Sequence, residues 1–177
     1  MKQLIDKLAA SRDLTDEELL SLITCEDEAV QQYLAEKAAA VRETVYGRDV
    51  YIRGLIEFTN YCKNNCHYCG IRASNRNAQR YRLTKDEILE CCKEADKLGF
   101  NTFVMQGGED PKQTDEWVID VVKTVRAAYP DKAITLSVGE RSAEAYAAFK
   151  EAGANRFLLR HETRNDEHYS QLHPEMM

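Results

Sequence analysis

From residue 49 onward the chain repeats one pattern four times: an apolar run of strand length, a short polar or glycine-bearing stretch, then an amphipathic helix. The runs are 50–58, 101–105, 133–138 and 155–160. The helices between them are marked at their ends. Thr84-x-x-Glu87 opens one that closes at Leu98-Gly99, and another over 115–128 is stopped by Pro130. A third runs from Ser142 through Phe149 to Gly153, and the last spans 165–172. Four strand–helix units in series predict an α/β fold of parallel strands joined by right-handed crossovers. A closed eight-unit barrel takes about 250 residues, and the about 130 that follow residue 48 suit four units.

The first 48 residues read differently. Leu4, Ile5, Leu8 and Ala9 have helical spacing, Thr15-x-x-Glu18 is a capping box, and 27–46 carries Val30, Leu34, Ala38, Val41 and Val45 on one face before Gly47. The expected division is therefore a helical segment, 1–48, and an α/β core, 49–177. No chemistry-bearing pattern falls in the helical segment.

Composition narrows the function classes. Of the 177 residues, 44% are hydrophobic and 31% charged, as in ordinary globular chains. A net charge of −6 gives no electrostatic case for nucleic acid or an anionic membrane surface. No apolar run approaches the roughly 18 residues of a spanning helix, and Met1–Asp6 has no signal-like apolar region. The expected location is cytoplasmic, where thiols stay reduced.

Three of the six cysteines crowd one loop after the first strand, as Cys62-x3-Cys66-x2-Cys69. Close-set thiolates are soft ligands that suit an iron–sulfur cluster or zinc. Three ligands leave one coordination position open, whereas a closed structural site takes four. A zinc knuckle with His67 as the fourth ligand is the bland alternative. Cys25, Cys91 and Cys92 fall in helical patterns and read as packing residues. The other suggestive residues also follow strand ends: Gly107-Gly108-Glu109, Ser137 to Glu140, and Arg160 to Glu162. Both α/β barrels and open α/β sheets place their sites there. Glycines allow close backbone approach, Glu109 suits an ammonium group, and Thr135 and Ser137 share one face of their strand.

The segment Asn60–Arg72, with Tyr81-Arg82-Leu83, Gln106–Asp110, Thr135–Glu140 and Leu159–Thr163, resembles the radical S-adenosylmethionine (SAM) superfamily. Within it the similarity is to the E-type maturase of FeFe hydrogenase, a relative of biotin synthase and methylornithine synthase. The resemblance implies a partial (β/α) TIM-type barrel of about four units, preceded by helices that cover one end. It implies a 4Fe–4S cluster on Cys62, Cys66 and Cys69, with SAM on the fourth iron. Tyr68, Gly107, Gly108, Glu109 and Glu162 would contact SAM, and Thr135, Ser137 and Arg160 the substrate. No residue is assigned as catalytic, and His161 is given no role. The implied chemistry is reductive cleavage of SAM to a 5′-deoxyadenosyl radical that acts on a small-molecule or organometallic precursor. A ferredoxin- or flavodoxin-type reductant and other hydrogenase maturases are the implied partners. A further SAM-contacting arginine and the late-strand substrate residues of the family have no counterpart here. The chain therefore resembles the N-terminal half of a maturase, whose open sheet would need a second copy or a separate half beside it. A non-catalytic iron–sulfur or zinc-binding fragment is the reading from a different class.

Overall fold

The computed structural model describes residues 1–176 and divides into two compact units, Met1–Tyr51 and the chain from Ile52 onward. The first holds α1 (Lys2–Ser11), α2 (Asp16–Ile23) and α3 (Glu28–Tyr46). The Thr15 side chain caps the Glu18 N–H while Glu18 returns to the Thr15 N–H, closing the expected capping box. Asp27 caps α3, and Gly47 ends it at φ 62°. Within this unit α1 packs on α3, where Asp6 accepts from the Tyr33 hydroxyl at 2.8 Å and pairs with Lys37 at 2.8 Å. Two details differ from the sequence reading. Cys25 lies in the loop between α2 and α3, outside any helix, and the Val41 and Val45 end of the α3 stripe is exposed.

The second unit holds β1 (Gly54–Thr59), α4 (Lys85–Lys97), β2 (Thr102–Gly107), α5 (Asp115–Ala128), β3 (Ala133–Ser137), α6 (Ala143–Ala152), β4 (Arg156–Phe157) and α7 (Asp166–Leu172). The strands form one parallel sheet in the order β1-β2-β3-β4, as four consecutive crossovers require. Alternation along each strand splits the side chains between two faces. Ile56, Phe58, Phe103, Met105, Ile134, Leu136 and Val138 point to the helices. There they form the core with Ile88 and Cys92 of α4, Val118, Val121, Val122 and Val125 of α5, and Phe149 of α6.

The opposite face is ordered in two rows by the register. Leu55 pairs with Val104 and Val104 with Thr135 in the lower row; Glu57 pairs with Gln106 and Gln106 with Ser137 in the upper. The upper row is polar, and the Gln106 amide donates to Glu57 at 3.2 Å.

Two strands are shorter than their apolar runs. Val50, Tyr51 and Ile52 are exposed, and β1 starts only at Gly54, where the backbone presses on Ala95 of α4 and on Phe100 just after that helix. A Cβ at Gly54 would sit 3.1 Å from both neighbours. The fourth strand keeps two residues of the expected six. Like β1 at the other side, it is an edge strand, and it pairs only with β3, through Thr135 and Leu136.

Candidate functional site

The cysteine loop leaves β1 at Thr59 and returns at Arg82, the two being joined by an antiparallel bridge. Such a long excursion needs its carbonyls satisfied, and one side chain does much of this. Arg80 donates to the carbonyls of Asn60, Ile71 (2.8 Å), Arg72 (2.7 Å) and Asn75 (3.1 Å). The Asn60 amide donates to the Gln79 carbonyl while its oxygen accepts from the Tyr81 N–H. Asn64 and Asn65 fasten the middle of the loop to Ala73 and Ser74.

A second guanidinium fixes the root of the loop. Arg82 makes a fork to Asp110, Nε to Oδ2 at 2.5 Å and Nη2 to Oδ1 at 2.9 Å. Its Cζ lies 3.5 Å from the ring centre of Tyr61. Asp110 is buried and also accepts from the Thr59 hydroxyl at 2.9 Å and the Lys112 N–H at 3.0 Å. Burial alone would push this carboxyl up. The bonds from Arg82, Lys112 and Thr59 outweigh it and hold the group below the ordinary carboxylate range. Sequence reasoning assigned no role to Arg80, and it named Asp110 only as the end of the Gln106–Asp110 segment. The only local signal was a pair of arginines two apart, returning to the strand.

Above the C-terminal ends of the strands lies a cavity of about 280 Å³. Cys62, Cys66, Cys69 and Tyr68 of the loop line it, with Gly107, Gly108 and Glu109 after β2, Ser137 of β3, and Arg160 and Glu162 after β4. Of the residues assigned to cluster, SAM or substrate, Thr135 alone is outside the lining, and His67, the fourth ligand of the zinc alternative, does not line it either. Thr135 sits in the lower row of the same face and is buried. The cavity also takes Gln106, Gly139 and Glu140, which lie in the motif segments without an assigned role, and Glu57, Tyr169, His173 and Met176, which sequence reasoning did not single out.

Close packing explains the glycines. A Cβ on Gly108 would lie 2.2 Å from the Tyr61 carbonyl oxygen and 2.8 Å from the Cys62 Cβ, so only glycine lets β2's extension pass beneath the first cysteine. At Gly139, φ is +77° and a Cβ would collide with the Glu109 side chain at 2.1 Å. Glu109 is thus laid across the β3 loop, with Lys63 at 3.1 Å from its carboxylate. Glu162 has φ 61°, a left-handed conformation that costs a non-glycine residue of order 1–3 kcal/mol. Such strain is stored where surrounding structure over-determines the backbone.

All three loop cysteines are free and partly buried. Burial pushes the Cys66 thiol up, and the nearby Cys62 and Cys69 sulfurs add to it. The Tyr68 hydroxyl is itself pushed well above its ordinary value, by burial first and then by Cys66 and Glu162. Among the described residues, no three Cys, His, Asp or Glu side chains already converge on a metal position. The donor set still fits a thiolate-held cluster. Three thiols reach one cavity from eight residues of loop, Gly108 is cut to the shape of Cys62, and among the described residues no fourth cysteine lines the cavity.

Residues 56–176 match the radical SAM superfamily. The chain is 40% identical over 174 residues to the [FeFe] hydrogenase maturase subunit HydE of Thermotoga maritima, covering 98% of this chain and 49% of that protein. The crystal structure of methylornithine synthase (PylB) superposes with TM-score 0.88 at 31% identity, over 98% of this chain and 52% of that one. The crystal structure of HydG, a maturase of the [FeFe]-hydrogenase, gives TM-score 0.88 at 28% identity, over 98% and 39%. The chain spans about half the length of the curated relatives it matches. Four parallel βα units, a three-cysteine loop rooted on the first strand and a glycine–glutamate turn on the second converge with these matches, and the chain belongs to the radical SAM superfamily, a family of enzymes.

Proposed function

We propose that this chain provides the cluster- and SAM-binding half of a radical SAM maturase that takes part in assembling the active-site cluster of FeFe hydrogenase. The observation that carries the reading is the single cavity shared by the three thiols, the Gly107-Gly108-Glu109 turn, Ser137, Arg160 and Glu162. The 40% identity to HydE supports the choice of maturase within the superfamily. The activity of the longer relatives is part of this proposal.

Cys62, Cys66 and Cys69 would hold a 4Fe–4S cluster, with its fourth iron open to SAM. When bound, the cluster supplies one-electron reduction of the SAM sulfonium. The chain's own residues supply the rest. Glu109, held 15% exposed against Gly139, presents a carboxylate to the SAM ammonium, and Lys63 is its present counter-ion. Gly107 and Gly108 let the backbone come close. Tyr68 offers its ring beside the third cysteine, and Glu162, in its left-handed pose, offers a second carboxylate. Ser137 forms the polar floor with Gln106 and Glu57, and Arg160 at the mouth suits a carboxylate on the substrate. Thr135 supports Ser137 from the row below. A small organometallic or thiol-bearing substrate, a ferredoxin- or flavodoxin-type donor and the other hydrogenase maturases are the proposed partners, in the cytoplasm.

The test is anaerobic iron–sulfide reconstitution, then EPR of the dithionite-reduced protein with and without SAM. The expected result is a reduced 4Fe–4S signal that changes on adding SAM, followed by 5′-deoxyadenosine in the reaction mixture. A signal indifferent to SAM would reduce the chain to a cluster carrier. Zinc in place of iron would overturn the reading.

A further inference from the structure

The last residue of α7 and those that follow it make four separate connections to the cysteine loop, across more than a hundred residues of sequence. The His67 N–H donates to the Leu172 carbonyl at 3.0 Å. Asn65 Nδ2 donates to both carboxylate oxygens of Glu175, at 2.9 and 3.0 Å. The Met176 thioether lies 3.8 Å from Cys66 Sγ. At the centre is His173, only 3% exposed, with Nε2 at 2.8 Å from the Tyr68 hydroxyl.

The protons in this arrangement can be assigned. His173 Nδ1 is 3.0 Å from the Tyr169 carbonyl, which can only accept, so Nδ1 carries the hydrogen. With the Nδ1 hydrogen so placed, Nε2 is the ring's acceptor, and the Tyr68 hydroxyl 2.8 Å away donates to it. Packing locks the ring in place: Tyr169 stacks on His173 at 4.1 Å between centroids, and Tyr68 meets it edge-on at 5.4 Å. Tyr68 sits between Cys66 and Cys69, so fixing its ring fixes the backbone between two of the three thiols.

We propose that Leu172–Met176 is a strap that holds the cysteine loop in its ligating shape, with His173 the positioning residue that acts through the Tyr68 hydroxyl. The proposal assigns a task to a segment that carries none in the reading above. It rests on that reading only in calling the loop a cluster ligand, because the strap itself is a property of the metal-free chain.

The test therefore begins without metal. Trypsin cuts after Lys63, Arg72 and Arg76, all within the loop, and cleavage at low protease follows the fraction of loop that is open. The 177-residue chain is compared with H173Q, which offers an amide oxygen to Tyr68, and with H173L, which fills space but accepts nothing. Loop cleavage is expected at wild-type rate in H173Q and about fivefold faster in H173L, the scale of losing one ordinary hydrogen bond. Iron retained after reconstitution should fall in the same order. Equal rates in all three proteins would overturn the proposal, and so would equal loosening in both variants, which would show that packing alone matters. If both histidine variants fail to fold, Y68F removes the same bond from its half-exposed end; wild-type cleavage in Y68F would likewise overturn the strap. If wild-type protein takes up no iron while the cleavage pattern holds, the cluster reading fails and the strap stands.

Discussion

Asp110 offers the sharpest quantitative test of how the site is supported. Its carboxylate is fully buried and forks to Arg82, whose side chain keeps 28% exposure. Asp110→Ala strands the guanidinium. Removing one member of a buried pair costs about 3–5 kcal/mol. Since Arg82 can rehydrate through its exposed part, the lower end applies, about 3 kcal/mol, or about 10 °C in Tm for a domain of this size. The assay is urea unfolding followed by Trp117, the one tryptophan, whose ring lies 5.7 Å from Phe58 on the strand that feeds the loop. The midpoint should fall with the slope unchanged. The pH dependence is a second check. Because the folded carboxyl lies below its ordinary value, its stabilisation is complete above the ordinary carboxylate pKa of about 3.9 and is lost as pH falls through the folded value. Asp110→Asn lacks this dependence, so the gap between wild type and variant should narrow as the solution is acidified below about pH 4. A loss under about 0.5 kcal/mol in Asp110→Ala, within the range of an ordinary surface change, would refute the idea that this pair roots the loop.

Three further outcomes follow from the packing. Gly108→Ala should fold with a loss of about 1–3 kcal/mol but displace Cys62, and its iron content after reconstitution should fall below that of wild type. Alkylation mapped by mass spectrometry at pH 8 should label exposed Cys91 quickly and leave its neighbour Cys92 untouched until unfolding, because burial pushes that thiol up to about 12. Thr84→Ala opens the capping box of α4, where Glu87 bonds back to the Thr84 N–H at 2.7 Å, and should cost about 1 kcal/mol in the same urea titration.

The sequence discloses those parts of this fold that are governed by local periodicity. The alternation of apolar runs and capped helices is enough to order four parallel strands, and the three cysteines announce themselves by spacing. Strand limits were less legible. Val50-Tyr51-Ile52 has strand-forming residues, yet no neighbour pairs with it, and strand preference follows packing more than backbone. At β4 the apolar run outlasts the pairing because the sheet ends there. What sequence reading missed was the support of the loop. Arg80, the Arg82–Asp110 fork and His173 act through contacts 5 to 105 residues away, and no periodicity encodes these. Thr135 shares its face with Ser137 but lies one row deeper and outside the cavity lining, a distinction alternation cannot make because it gives the side of a sheet and not the depth.

That depth has its own consequence. Along the exposed face of the sheet, Glu57, Gln106 and Ser137 make one hydrogen-bonding tier, and a single pleat further down Leu55, Val104 and Thr135 offer one hydroxyl among hydrocarbons. A molecule descending from the strand ends thus crosses from a solvating to a non-solvating layer within about 7 Å, two residues of strand. An ionic head group would find one hydroxyl there in place of the three polar side chains above it. On this face of the sheet, hydrogen-bond partners are therefore concentrated in one tier at the strand ends, and the row beneath offers mainly hydrocarbon contact.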